Sequence, residues 1–220
     1  MFTGHYAASL AARAAGPRAP LWVYVGASQL LDFGWAGLVL AGVEKVGFDE
    51  KLPGSPLDLY FMPYTHSLTA AIGWSLAAML VARRFWPGWE ALLIGLTVFS
   101  HWLLDALVHR PDLLLYWPFS PDDRKLGLGL WNLPVPEMAL EMGLLGLAAA
   151  MLTAQRVRER RSAWPILLFF AALVALQIYA LLAPPATDAA GFAITALGAY
   201  SAMVVLAALV DTGKRGKASR

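Results

Sequence analysis

The chain has 220 residues, of which 59% are hydrophobic and 15% charged, and its mean hydropathy is +0.57. This composition lies outside the range of water-soluble domains. A formal net charge of +2 gives no reason to expect nucleic-acid binding, and the lack of cysteine excludes disulfides, zinc–thiolate sites and cysteine nucleophiles. We therefore expect an all-α, polytopic integral membrane protein.

Six apolar runs are long enough to cross a bilayer, which needs about 20 residues at a helical rise of 1.5 Å. They are residues 21–43, 63–82, 89–109, 135–154, 164–183 and 191–210. Residues 4–15 precede them as a half-length apolar segment that could lie on the surface or re-enter the membrane. We thus predict one membrane domain over 1–220, with an N-terminal half-helix (1–20), site-bearing spans (21–154), two scaffold spans (164–210) and a basic cytoplasmic tail (211–220).

The basic residues predict an orientation for the six spans. Alternate segments hold 12 of the 17 Lys and Arg residues, and the remaining segments hold five. By the positive-inside rule, both termini and the loops at 83–88 and 155–163 lie in the cytoplasm. The two long loops, 44–62 and 110–134, then face outward as candidate lids or binding loops. This arrangement predicts a multi-pass protein of the inner membrane.

A few ionisable residues lie inside the apolar runs, where a charged group is costly and marks a functional site by default. Asp32 lies near the middle of the first run, and His66 lies about one turn into the second. The third run carries His101, Asp105 and His109 at a spacing of four residues, which stacks them on one helix face. These residues fall in the outer half of the predicted membrane, at similar depth.

Imidazoles and carboxylates from several helices at one depth are typical of a divalent metal site. We expect His66, His101 and Asp105 to bind the metal, with Asp32 or Glu141 as fourth ligand or general base. Zinc is the favoured ion, with manganese and magnesium as alternatives. Hydrogen bonds that only lock the helices together, and haem ligation by His66 and His101, remain open as other interpretations.

The reaction expected of such a site is hydrolysis by metal-activated water. Its depth favours an ester or phosphoester of a lipid or lipid-linked small molecule that enters from the outer leaflet, and His109 and Arg110 are candidate substrate residues. One alternative is a proton- or cation-coupled transporter or channel that uses the same side chains. The other is a structural membrane protein without catalysis.

Four short motifs follow one another in the first half of the chain: GHY at 4–6, QLLD at 29–32, YTHS at 64–67 and SHWLLD at 100–105, the last running into HRPD at 109–112. In these motifs the sequence resembles the predicted membrane-bound metal-dependent hydrolases, a bacterial group related to inner-membrane hydrolases described as LexA-binding. The resemblance implies a ligand set of His5, Asp32, His66, His101 and Asp105. Because the predicted topology puts His5 on the cytoplasmic side, this set requires residues 4–15 to re-enter the membrane. A reversed first span, or a His5 that is not a ligand, are the alternatives.

Overall fold

The computed structural model describes residues 2–16, 18–86, 88–117, 119, 124–184 and 186–211, and it is mostly helical. Residues 212–220, which form nearly all of the predicted basic tail, lie outside the described residues. The helices within the described ranges are α1 (His5–Ala15), α2 (Leu21–Ser28), α3 (Leu30–Leu40), α4 (Pro63–His66), α5 (Leu68–Ala82), α6 (Trp89–Val108), α7 (Pro134–Arg158), α8 (Trp164–Leu182) and α9 (Ala189–Asp211).

Four of these helices, α6 to α9, are long and apolar enough to cross a membrane. The bent pair α2 and α3 raises the number to five if it counts as one span. The predicted second span is divided between α4 and α5, and α5 has only 15 residues, fewer than the roughly 20 that a straight span needs. The six predicted spans are therefore not confirmed; four to five are seen.

Two breaks interrupt the apolar runs, and both lie next to predicted site residues. The axes of α2 and α3 differ by 51° across Gln29. Ser67 is extended, with φ −74° and ψ 153°, and its hydroxyl caps α5 by accepting a hydrogen bond from the amide of Ala70 at 3.1 Å. The last carbonyls of a helix have no partner within it. The breaks thus free the carbonyls of Ser28 and His66, and side chains of α6 bind both.

Helix α1 is buried inside the bundle against α2, α6 and α7. Its first residue, His5, contacts Asp105 near the end of α6, and its last carbonyl, that of Ala15, accepts a hydrogen bond from the indole of Trp89 at the start of α6. Helix α1 therefore runs lengthwise along α6. With 11 residues it is too short to be a span of its own.

The remaining helices close the bundle and face outward with apolar side chains. Close packing of α5 on α6 depends on Gly95, where an added Cβ would lie 2.9 Å from the Cβ of Met79. Leu80, Leu147 and Leu168 are about 60% exposed, at 58%, 62% and 58%. Apolar side chains exposed on several long helices are expected where lipid is the solvent.

The two long loops contain short antiparallel strands that the sequence analysis did not predict. Strand β1 (Lys45–Phe48) pairs with β2 (Leu57–Phe61), and β3 (Leu113–Leu114) pairs with β4 (Lys125–Leu126). A single-turn 3-10 helix (Leu130–Asn132) leads into α7. The loops thus form an ordered layer over the end of the bundle where α6 ends.

Candidate metal centre

A cluster of imidazoles and carboxylates lies where α1, α3, α4 and the end of α6 meet. It contains all four histidines of the chain and two aspartates: His5, Asp32, His66, His101, Asp105 and His109. Every member is buried except Asp32, whose side chain is 15% exposed. We call these six residues the His/Asp cluster.

Asp105 is the centre of the cluster, and its two oxygens face different histidines. Oδ1 lies 3.1 Å from Nε2 of His5 and 3.3 Å from Nε2 of His109. Oδ2 lies 3.1 Å from Nε2 of His101 and 3.6 Å from Nε2 of His66. The spacing of four residues places His101 one turn before Asp105 on α6, and His109 directly follows the last residue of α6, one turn beyond Asp105.

Asp32 joins the cluster from the first turn of α3. Its Oδ1 lies 3.4 Å from Nε2 of His101 and 3.5 Å from Nε2 of His66. Two overlapping groups of ligand atoms result, one from His5, His101 and Asp105 and one from Asp32, His66 and His101, and within each group all the atoms lie within 4.8 Å of one another.

Hydrogen bonds at the other ring nitrogen orient three of the four imidazoles. Nδ1 of His101 lies 2.7 Å from the carbonyl oxygen of Ser28, and Nδ1 of His109 lies 3.0 Å from the carboxylate of Asp112. Because both partners only accept, Nδ1 carries a proton, and in the neutral imidazole Nε2 then presents its lone pair to the cluster. This is the second hydrogen bond expected of histidines that bind metal.

His66 is oriented by a relay of three side chains. The hydroxyl of Thr65 donates to the carboxylate of Glu44 at 2.7 Å, so its oxygen accepts from Nδ1 of His66, also at 2.7 Å. Glu44 further accepts the amides of Tyr64 and Thr65 at 2.7 and 3.0 Å. Burial raises the pKa of the Glu44 carboxyl, and the three hydrogen bonds oppose this effect by favouring the carboxylate.

Both ring nitrogens of His5 and Nε2 of His101 are buried and lack a hydrogen-bond partner among the described residues. An oxygen of the Asp105 carboxylate lies 3.1 Å from each of the two Nε2 atoms. The two rings are stacked at 3.6 Å with an angle of 3° between their planes. Lone pairs that converge between carboxylates fit a bound cation better than they fit a network of hydrogen bonds. The donor set of N and O atoms therefore suits a divalent metal.

The structure thus brings together the five residues implied by the family resemblance, including His5. It also places His109 in the cluster, although the sequence had suggested a substrate residue at the membrane boundary. His109 is buried, and its ring centroid lies 4.0 Å from that of Trp131, with 30° between the ring planes. The spacing of four residues after Asp105 was the signal for this position. Thr65 and Asp112 stand inside the recognised motifs, whereas no sequence signal pointed to Glu44.

Glu141, predicted as a fourth ligand or general base, has its observed contacts elsewhere. It accepts a hydrogen bond from the amide of Phe2 at 2.5 Å and one from the hydroxyl of Thr3 at 3.4 Å. The Thr3 hydroxyl also lies 2.8 Å from Oε1 of Gln177 on α8. Glu141 and Gln177 therefore hold the residues just before His5, and α8 takes part in placing His5.

Arg110, the other predicted substrate residue, joins the two long loops. Its guanidinium donates to the carbonyls of Pro53, Ser55 and Leu57 and to the side chain of Asn132, at 2.7 to 3.3 Å. A guanidinium has five N–H donors. Because these contacts use all three of its nitrogens, the arrangement favours a structural role for Arg110 over phosphate binding.

The helices and their outward apolar side chains define a helical protein embedded in a membrane, with a polar cluster inside its bundle. A model of the YdjM inner membrane protein family matches residues 54–184, which are 131 of the 220 residues. The chain belongs to this family. No curated protein and no solved structure matches the chain. The matched range includes His66, His101, Asp105 and His109.

Proposed function

We propose that the protein is a metal-dependent membrane hydrolase that acts on an ester or phosphoester bond of a lipid-like substrate near the outer leaflet. The observation that carries this proposal is the His/Asp cluster, in which the Nε2 atoms of four buried imidazoles face two carboxylates. A bound divalent ion, zinc by preference and manganese or magnesium otherwise, supplies water of lowered pKa and polarises the bond to be cleaved.

Asp32 is the residue best placed to act on substrate. It is the one cluster member with appreciable exposure, and its Oδ1 faces His66 and His101 while the side chain remains 15% accessible. Water and the reacting bond therefore approach the cluster beside Asp32. We assign it the role of general base, which takes the proton of the attacking water.

Residues outside the cluster hold its histidines in place, and the loops cover one end of the site. His66 and His101 are fixed by hydrogen bonds at Nδ1, and Ser28 and Glu44 supply the acceptors directly or through Thr65. The ordered loops around β1 to β4 cover the end of the bundle where His109 lies. Such a cover limits entry of bulk water and leaves the lipid side for an amphiphilic substrate.

The test is hydrolysis of phospholipid and lipid esters by purified protein in detergent or liposomes. We expect a strong chelator to abolish the reaction and added zinc to restore it. His101→Gln and Asp105→Asn each remove a predicted ligand, and we expect the rate to fall at least ~100-fold.

Asp58→Asn provides the matched control, because Asp58 is an exposed carboxylate in the loop layer. We expect this variant to keep the wild-type rate. Full activity of both cluster variants in a preparation whose zinc content is unchanged would contradict the proposal. Zinc-independent ion flux through liposomes, without hydrolysis, would favour a transporter instead.

A further inference from the structure

The His/Asp cluster offers more ligand atoms than one ion uses. Four imidazole nitrogens and three carboxylate oxygens converge within it, whereas a single zinc takes three or four protein ligands. The ligand set implied by the family resemblance omits His109, which the structure places 3.3 Å from Asp105. The surplus is therefore a feature of the geometry that a single metal does not explain.

The two oxygens of Asp105 divide the histidines into pairs. Oδ1 faces His5 and His109, and Oδ2 faces His66 and His101, which also face Asp32. The six N···O distances run from 3.1 to 3.6 Å. Two ligands of one tetrahedral zinc, with bonds of about 2.0–2.1 Å, lie about 3.4 Å apart. Each of these nitrogen–oxygen contacts therefore has about the spacing of two ligands that share an ion.

Carboxylates outside the cluster orient a histidine on each side of Asp105. Asp32 and Asp105 lie in the cluster, and Glu44 and Asp112 stand directly behind it through Thr65 and His109. One of the histidines oriented in this way, His66, faces Oδ2 of Asp105, and the other, His109, faces Oδ1. Such second partners are expected of histidines that bind metal.

We infer that the His/Asp cluster holds two divalent ions bridged by the carboxylate of Asp105. His5 and His109 serve one ion with Oδ1, and His66 and His101 serve the other with Oδ2, beside the general base Asp32. His109 is thus a metal ligand whose outer partner is Asp112. This inference rests on the proposed metal site, but its test reads metal content rather than activity.

The experiment counts zinc per chain in purified protein. Wild-type protein is stripped with chelator, saturated with zinc and freed of excess by gel filtration, and metal and protein are then quantified. We expect two zinc ions per chain in the wild type, one in His109→Gln, one in His66→Gln and fewer than one in Asp105→Asn. Asp58→Asn, the exposed control, is expected to keep two.

One zinc per chain in saturated wild-type protein, or two in His109→Gln, would overturn the inference. If His109→Gln does not fold, Asp112→Asn replaces it, and we expect one ion to bind about 10–100-fold more weakly while the other is unchanged. Equal affinity for both ions in that variant counts against the assignment. Manganese-loaded protein gives a second measurement, because two bridged ions produce an exchange-coupled electron paramagnetic resonance spectrum that His109→Gln should remove.

These outcomes separate the inference from the proposed function. Protein that binds no metal contradicts both. One ion with chelator-sensitive hydrolysis contradicts only the two-ion centre. Two ions without hydrolysis of any lipid ester contradict only the proposed reaction.

Discussion

At His66, a chain of hydrogen bonds decides which ring nitrogen faces the cluster. Glu44 accepts the proton of the Thr65 hydroxyl, and this leaves the Thr65 oxygen to accept from Nδ1 of His66. In the neutral imidazole, Nε2 is then unprotonated and free to bind a cation. The same logic applies to His101 with its backbone acceptor and to His109 with Asp112.

Thr65→Val tests this orientation of His66. The substitution keeps the shape of the side chain but removes the acceptor for Nδ1, so we expect zinc affinity to fall about 10–100-fold. Competition with a chromophoric chelator measures the affinity. Thr69→Val is the matched control, because the Thr69 hydroxyl donates to the carbonyl of Leu115 and does not contact the cluster. Similar affinities in the two variants would show that the relay does not act on the metal site.

At the scale of elements, the site depends on helices that end early. Ser28 is the last residue of α2, and His66 is the last residue of α4. An unbroken helix would use their carbonyls internally, but here the carbonyl of Ser28 binds His101 and the carbonyl of His66 accepts from the indole of Trp102 at 3.0 Å. The breaks at Gln29 and Ser67 therefore join three helices at the cluster.

Helix α1 is the second element on which the site depends, because it carries His5. Its start is held by two residues of other helices, Glu141 on α7 and Gln177 on α8. Glu141 and Gln177 are far from His5 in sequence, but they contact Phe2 and Thr3, which come just before it. We therefore treat Glu141 and Gln177 as positioning residues for His5.

Gln177→Leu tests this positioning role. The variant removes the nearer acceptor of the buried Thr3 hydroxyl and leaves it Glu141 at 3.4 Å. This loss costs about 0.5–1.5 kcal/mol, and we expect weaker zinc binding because His5 is less well held. Gln155→Leu on α7 is the matched control, since Gln155 pairs with the exposed Glu159. Isothermal titration with zinc measures both variants.

A double-mutant cycle with His5→Gln separates positioning from general destabilisation. If Gln177 acts through His5, the Gln177→Leu effect on zinc affinity disappears in the His5→Gln background. An undiminished effect in that background would contradict the positioning role.

At the scale of the whole molecule, the described residues contain four helices long enough to cross the bilayer, or five if α2 and α3 count as one span. We propose that α4 and α5 together form a broken span like α2 and α3, which gives six crossings in total. The distribution of Lys and Arg then puts the loops at 83–88 and 155–163 and the C-terminal tail in the cytoplasm. Phe2 and Thr3 are the exception, because they lie at the depth of Glu141 inside the bundle.

The absence of cysteine allows this topology to be tested cleanly. Single substitutions Asp58→Cys, Arg84→Cys and Arg160→Cys place one thiol in each of three loops. We expect an impermeant maleimide to label Asp58→Cys in intact cells and the other two only after the membrane is opened. Labelling of Asp58→Cys and Arg84→Cys from the same side would show that α5 does not cross.

Composition and helical spacing predicted the class of protein and the shared face of three site residues. The apolar runs predicted a helical membrane protein, because hydrocarbon admits few charged residues, and this is confirmed. The spacing of four residues placed His101, Asp105 and His109 on one face, because helix geometry alone determines that relation. The metal-binding role of these residues remains a prediction.

Tertiary structure decided what hydropathy does not encode. The hydropathy of an apolar run is the same whether or not its backbone breaks, so the breaks at Gln29 and Ser67 were not predicted. For this reason the number of straight spans was not predicted correctly. The meeting of His5 with Asp105, and the use of Glu141 to hold Phe2, follow from packing between segments about 100 or more residues apart. The sequence by itself determined that this protein lies in a lipid bilayer, and it determined which imidazole and carboxylate groups the apolar segments carry. Only long-range packing decided which of those side chains meet.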